Sequence, residues 1–297
     1  MAAIYNLFNF TQAVDTITVH SGMFHADDAA VVALLKLQFP EIVIIRTNNP
    51  DTNKADVKNL IADVGRQHDG VALFDHHQLR PVKDQELVQE DGSILLKKGT
   101  PQEEVHAAVG LLWEAWGKKE AFPTLSGLIH SIDLHDTGML WTPAWTTVRD
   151  FYPTWDSDEN PDEAFLKAVE WLTPALENAI RKDLSAAKAA DWLAENATVL
   201  NDAILVMDKF VPWQSFCKER GLKMAVFPGR DPGSYNLQVA DPAWKLPKEW
   251  LDCKPAGVTF VTNWLSMAAC SSKEDAIRVA TDCVNAALTV TAAKAAE

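Results

Sequence analysis

The sequence predicts an α/β fold: a mostly parallel sheet flanked by helices in the first half, then a smaller C-terminal α/β domain. Three observations predict it. Short β-branched runs alternate with helical stretches between Thr16 and Phe74. A long Ala-, Leu-, Glu- and Lys-rich stretch at 161–197 carries helical patterning alone. Strand-like runs resume after Ala203. The expected organisation is an N-terminal domain over 1–150, a helical connector over 151–200 and a C-terminal domain over 201–297.

Each element has a local reason. Residues 16–20 (TITVH) read as a short buried strand, and 27–39 as a helix with aspartate at its start and apolar residues at helical spacing. Residues 41–47 (EIVIIRT) are β-branched and read as a strand, which Asn49-Pro50-Asp51 breaks. A helical stretch leads to a strand at 60–64 (LIADV). A further strand at 71–74 (VALF) runs straight into Asp75-His76-His77. Residues 102–117 and 124–135 read as helices, and an aromatic loop, WTPAWTTVRDFYPTW, follows Gly138. Beyond the 161–197 helix come strands in ILVMD, KMAVF, YNLQVA and VTFVT, then a closing helix at 272–293.

Composition narrows the function classes. The chain has 297 residues, 47% of them hydrophobic, which is ample for a large core. It holds no apolar run long enough to span a bilayer and no signal-peptide pattern at its start, so no membrane partner is expected. The four cysteines, Cys217, Cys253, Cys270 and Cys283, form no C-x-x-C pair, which suits a reduced, cytoplasmic setting. A formal charge of -14 argues against a broad nucleic-acid-binding face, because phosphate contacts need Lys or Arg. Carboxylates that hold metals are neutralised once the ions bind, however, and a local basic groove can exist on an acidic protein.

Histidine placement points to the chemistry. All eight histidines lie between His20 and His135. The first cluster, HSGMFHADD, joins a strand end to a helix start, where His20, His25 and Asp27 converge and Asp28 stands beside them. Asp27 or Asp28 could instead only cap the helix, but two neighbouring histidines favour ligation. Asp63 closes an apolar strand, where a lone buried carboxylate is costly and a metal would resolve the cost. An exposed turn before Gly65 is the plainer explanation for that residue taken alone. Asp75-His76-His77 is the sharpest signal, because adjacent side chains at a strand end splay toward different partners. Asp133 and Asp136, three apart on a helix, share a face, and either could supply the last carboxylate. In parallel sheets ligands gather at the carboxyl ends of strands, and His20, Asp63 and Asp75 all fall there.

This donor set exceeds the needs of one ion. A bridged pair of ions would use it, which is a phosphoryl-transfer arrangement. Imidazole and carboxylate without thiolate point to two Mn²⁺ first, with Mg²⁺ possible. The chemistry expected is hydrolysis, with Asp63 bridging and His76 or His77 neutralising charge on the phosphoryl oxygens.

These residues resemble the melanocyte-proliferating-gene type of metal-dependent hydrolases, related to the DHH phosphoesterases. The matching segments are HSGMFHADDAA, residues 45–50, ADVG, LFDHHQ, VGLLWEAWG and IDLHDTG, with weaker likeness in KFVPWQ, LPKEW and KEDAIRVA. The resemblance implies a DHH-type N-terminal domain and a C-terminal substrate-binding domain. It implies 3′→5′ exonuclease activity on single-stranded RNA or DNA. It also implies His20, His25, Asp27, Asp63, Asp75 and one of Asp133 or Asp136 as metal ligands, with Asp136 preferred because Asp136-Thr137-Gly138 matches the superfamily's last motif. Residues 261–271, VTNWLSMAACS, depart from the family by lacking glycine, and Trp264 and Met267 are expected to fill that space.

The tryptophans Trp113, Trp116 and Trp192 sit at helical spacing and are expected in the core. Trp141, Trp145 and Trp155 are candidates for substrate contact. Asp28, Asp133 and Arg230 are weaker substrate candidates, Arg230 lying in a turn. Competing functions are a phosphodiesterase of small nucleotides or short oligonucleotides, and a non-catalytic protein stabilised by metal. Assembly into a homo-oligomer is compatible with all of these readings.

Overall fold

Strand β1 (Thr16–Val19) runs through the middle of a four-stranded parallel sheet, and its Ile17 and Val19 are fully buried. Helix α1 (Ala26–Gln38) crosses from β1 to β2 (Val43–Arg46) on one side. The next strands, β3 (Asn59–Ala62) and β4 (Leu73–Phe74), add on the other side, giving the order β2-β1-β3-β4. The computed structural model describes residues 4–77, 85–88, 94–97, 106–241 and 244–295. It divides into two compact units, Met1–Asp183 and Leu184–Glu297.

In the first unit, α1 is buried almost all round because its small alanines let neighbours pack closely. It meets α2 (Ala108–Trp116), α3 (Pro123–Asp136) and α4 (Pro143–Arg149). An antiparallel pair, β5 (Gln85–Val88) and β6 (Ile94–Lys97), forms a separate two-stranded sheet. Helix α5 (Pro161–Asn196) contributes Phe165, Leu172, Leu176 and Ile180 to this unit's core.

The second unit holds a six-stranded sheet in the order β11-β12-β10-β9-β8-β7. Its strands are β7 (Thr198–Leu200), β8 (Ile204–Val206), β9 (Met224–Pro228), β10 (Tyr235–Val239), β11 (Val258–Val261) and β12 (Met267–Cys270). Only the β8–β9 pairing in it is parallel. Helix α6 (Gln214–Glu219) follows β8, and α7 (Lys273–Ala295) packs on β9 and β10, closing a core of Ile204, Val226, Leu237, Ala268 and Val279. The expected α/β class, a parallel sheet flanked by helices with a smaller α/β unit after it, is borne out.

Several details differ from the sequence reading. The stretch expected as a helix before β3 is one 3₁₀ turn, Thr52–Lys54. Helix α2 begins at Ala108, and residues 102–105 lie outside the described part. The aromatic segment after Gly138 holds α4, with Pro143 at its start as helices favour. That helix buries Trp145, whose indole donates to Ser131 Oγ at 3.2 Å, so it is a core residue and no substrate platform. Trp141 and Trp155 are exposed, whereas Trp113 is buried and Trp116 and Trp192 pack against cores. Residues 267–270 form β12, whose Ala268 and Cys270 fill the space. Trp264, expected to do so, is 79% exposed. All four cysteines are free thiols, and Cys253 alone is exposed. No described helix is long and apolar enough to cross a membrane.

Candidate metal centre

The strand order reverses between β1 and β3, and that reversal opens a crevice at the carboxyl ends of the strands. His20 follows β1 directly. Its Nε2 lies 3.0 Å from Asp28 Oδ2 and 3.1 Å from Asp63 Oδ2. Asp28 also caps α1: its Oδ1 accepts the amides of His25 at 3.0 Å and Ala29 at 2.8 Å. One buried carboxylate therefore both starts the helix and holds His20. Asp27, the next residue back, has no exposed surface, and its Oδ2 accepts the Ala108 amide at 3.3 Å.

Asp63 takes a left-handed backbone, φ 57°, just past β3, and its amide donates to Phe74 O at 3.1 Å. This turns the carboxylate into the crevice. Its Oδ1 is 3.2 Å from His76 Nε2 and 3.6 Å from His77 Nδ1. His76 Nε2 is also 3.3 Å from Asp136 Oδ2 and 3.9 Å from Asp27 Oδ2, while His25 Nδ1 is 3.6 Å from Asp136 Oδ1. Asp75 accepts from its own strand-end surroundings: the Arg66 amide at 2.6 Å on Oδ2, and the His77 amide at 2.9 Å on Oδ1. The same Oδ1 lies 2.8 Å from His77 Nδ1.

Three sets of donors thus converge: His20, His25 and Asp63; Asp63, His76 and His77; and His25, Asp27 and Asp136. Within each set the ligand atoms lie within 4.8 Å of one another. Asp63 belongs to two sets. A cleft of about 880 Å³ opens beside them, lined by His20, His25, Asp63, Arg66, Asp75 and His77 among others.

The donors fit a divalent cation. Asp27 Oδ1, Asp28 Oδ2, both oxygens of Asp63 and His76 Nε2 are buried and make no aligned hydrogen bond, although Asp28, Asp63 and His76 each have an opposed atom only 3.0–3.3 Å away. Leaving such atoms unsatisfied is costly. Lone pairs that converge without pointing at one another are what shared ligation of a cation requires. The clusters are compatible with divalent metal binding, and their imidazole and carboxylate donors suit a borderline or hard ion.

Protonation in the metal-free centre follows burial and pairing. Burial disfavours charge on His20, yet Asp28 and Asp63 outweigh it and raise its pKa to about 10. Burial would raise Asp63, but His20 and His76 hold it down at about 2. Asp27 is pushed well up by burial and by the charges of Asp136, Asp63 and Asp28. Burial also raises Asp28 despite His20 beside it. His76 is raised against its burial by Asp63, and His77 by its bond to Asp75. Asp75 is lowered against its burial by His77 and two amides.

Asp75, Asp133 and Arg230 are in none of these sets. Asp133 lies 2.8 Å from His106 Nδ1 and accepts the Gly110 amide at 3.0 Å. Arg230 is exposed in the bend after β9, in the second unit. Sequence reasoning gave no site role to Arg46 or Asn48, although both lie in the 45–50 stretch that carries the family likeness, and it passed over Arg66. Arg46 donates to His20 O at 3.2 Å and Gly22 O at 2.8 Å, fixing the loop between His20 and His25. It also bonds Pro161 O at 3.1 Å and Asp162 at 2.8 Å, and it stacks 4.5 Å from the Phe165 ring. Asn48 Oδ1 accepts the Ser21 amide at 3.1 Å. An arginine closing an otherwise apolar strand was a usable signal for Arg46, since such a charge needs partners. Arg66 gave none.

The family model MYG1_exonuc, described as Uncharacterised protein family (UPF0160), matches residues 16–227. The chain belongs to this family. Among MYG1 relatives, the MYG1 protein of Schizosaccharomyces pombe is 26% identical over 226 residues, covering 67% of this chain and 68% of the relative. The MYG1 protein of Saccharomyces cerevisiae is 44% identical over 64 residues, 21% of this chain and 18% of the relative. The MYG1 exonuclease of Bos taurus is 38% identical over 65 residues, 21% of this chain and 16% of the relative. A solved DHH domain from a member of the s1p family of ribosomal proteins aligns at 13% identity and TM-score 0.28, covering 92% of this chain and 87% of that one.

Proposed function

We propose that this MYG1-family chain is a divalent-metal-dependent phosphodiester hydrolase that acts as a 3′→5′ exonuclease on single-stranded RNA or DNA. The observation that carries the reading is Asp63: a buried carboxylate whose two oxygens face different imidazoles and which belongs to two of the three donor sets. A shared carboxylate is the part a paired-ion centre needs. The name MYG1 exonuclease on the Bos taurus relative supports a nuclease.

In this reading His20, His25, Asp27, Asp63, His76 and Asp136 hold two ions, Mn²⁺ by preference and Mg²⁺ as the alternative, and Asp75, which stands outside the three donor sets, completes the shell beside them. Bound there, the ions supply Lewis-acid activation of water and neutralisation of charge on the phosphoryl oxygens. The chain's own part is positioning. Asp28 fixes His20, and Arg46 fixes the loop between His20 and His25. His77 is half-exposed on the cleft with Nδ1 held by Asp75, which leaves its Nε2 to meet a phosphoryl oxygen of the substrate.

The test is metal content together with cleavage of a 5′-labelled single-stranded oligonucleotide in Mn²⁺, for wild type and Asp63→Asn. The reading expects about two ions per chain, a ladder shortening from the 3′ end, and loss of both in the variant. Equal cleavage by the two proteins ends the assignment. Cleavage of dinucleotides alone would move it to the small-substrate phosphodiesterase, and bound metal without any cleavage to the binding protein.

A further inference from the structure

The turn after β3 runs Asp63-Val64-Gly65-Arg66, and three of these residues are left-handed: Asp63 at φ 57°, Gly65 at 99° and Arg66 at 56°. Glycine enters that region freely, whereas a side chain there meets the backbone. Asp63 has its reason in the donor cluster. Arg66 has no such reason, yet its backbone is pinned: its amide donates to Asp75 Oδ2 at 2.6 Å, and the Asp75 amide returns to Gln67 O at 3.1 Å. A residue held in a sparse region by over-determined surroundings is a pointer to function.

Its position gives the function. Arg66 is exposed and lines the 880 Å³ cleft. Among the described residues lining that cleft it is the one lysine or arginine, and it shares the wall with Asp63 and Asp75. Among the described residues no carboxylate pairs with its guanidinium. Arg46 differs, being buried and fully engaged with Asp162 and three carbonyls. An unpaired, planar, five-donor cation in an acidic cleft is suited to a phosphate. The cleft is at the large end for small-molecule sites and has room beyond one phosphate ester.

We propose that Arg66 binds a substrate phosphate next to the one held at the donor cluster, so that the preferred substrate carries at least two successive phosphates, as a 5′-phosphorylated dinucleotide or a longer single strand does. This rests on the hydrolase reading above and specifies its substrate.

The test is binding by Mn²⁺-loaded protein of a fluorescein-labelled, phosphorothioate-linked single-stranded decamer, followed by anisotropy across a KCl series. Arg66→Gln is expected to weaken binding about 5–10-fold and to flatten the slope of log K against log salt by about 0.7, one phosphate contact on a single strand. Arg66→Lys recovers the slope but not all of the affinity. Arg66→Gly, which relieves the left-handed strain, melts no lower than wild type and binds as weakly as Arg66→Gln. Wild-type affinity and slope in Arg66→Gln and Arg66→Gly overturn the inference. Hydrolysis of bis(p-nitrophenyl) phosphate by wild type separates the two claims. If wild type cleaves it while Arg66 is dispensable for the decamer, the hydrolase stands and the phosphate site falls. If binding depends on Arg66 while neither bis(p-nitrophenyl) phosphate nor the same decamer with ordinary phosphodiester links is cleaved, the phosphate site stands and the hydrolase falls. If wild type neither cleaves nor binds, both fall.

Discussion

Asp63 Oδ1 and His76 Nε2 lie 3.2 Å apart, both buried, and neither makes an aligned hydrogen bond. Two polar atoms this close would ordinarily rotate into a bond, since leaving them unmade costs about 1–3 kcal/mol each. Their arrangement suits a third atom that accepts both lone pairs. Asp63→Asn keeps the shape and removes the charge, so metal affinity should fall at least tenfold, the lower end of what even supporting residues contribute. Thermal melting in excess Mn²⁺ gives the readout. Wild type gains about 2.7 kcal/mol at a hundredfold excess over Kd, and Asp63→Asn gains far less. Equal shifts in both proteins would place the ion elsewhere.

His20 makes the metal-free protein pH-dependent. Its pKa rises from 6.5 to about 10 because Asp28 and Asp63 outweigh burial. A group raised on folding stabilises fully below its unfolded value and stops doing so as pH climbs through its folded one. The contribution is therefore complete below about pH 6.5 and lost toward pH 10. In EDTA, the melting temperature of wild type minus that of His20→Gln should be largest near pH 6 and shrink toward pH 10. Ligation removes the same proton, so Mn²⁺ affinity should rise with pH across this window. A difference that stays flat from pH 6 to 10 would show that His20 is uncharged in the metal-free fold.

The two aspartates of α3 should separate by phenotype. Asp136 faces His25 and His76, whereas Asp133 holds His106 and the Gly110 amide. A Cβ built on Gly110 would run into the buried Asp133 carboxylate, so this helix contact requires glycine. Gly110→Ala and Asp133→Ala should each destabilise by about 1–3 kcal/mol, through overpacking and an orphaned amide respectively, and both should still take up metal. Asp136→Asn should melt normally without metal and lose affinity for it. Calorimetric metal titration beside melting curves decides the matter, and a stability loss confined to Asp136→Asn would reverse the assignment.

Sequence made the donors legible because strand ends can be read from patterning, and parallel sheets put function at those ends. His20, Asp63 and Asp75 each follow β1, β3 and β4 directly. Periodicity alone did not choose between Asp133 and Asp136, and only the family likeness preferred Asp136. Helical spacing says that residues three apart share a face, but not that Gly110 draws one carboxylate away. Arg66 was hidden for a related reason: a left-handed backbone at a non-glycine residue leaves no mark in composition or periodicity. Trp264 failed as a space-filler because the alternation of β12 had already placed Ala268 and Cys270 inward.

Arg46 should control the centre without lining its cleft. It ties His20 O and Gly22 O to Pro161 O and Asp162 while lying over Phe165. Losing the fork leaves part-buried carbonyls unmatched, a cost of about 1–3 kcal/mol each, whereas Asp162 is exposed and loses little. Lysine cannot replace the fork, since one ammonium cannot reach backbone oxygens on two sides in a single plane. Arg46→Lys should therefore fold with a lowered melting temperature and hold metal more weakly, because His20 and His25 sit at either end of the loop it fixes. Added Mn²⁺ should restore most of the activity of Arg46→Lys but little of that of Asp63→Asn. Should Arg46→Lys match wild type in both melting and metal affinity, the loop between His20 and His25 is held in place without it, by the α1 cap at Asp28 and the Asn48 bond to the Ser21 amide.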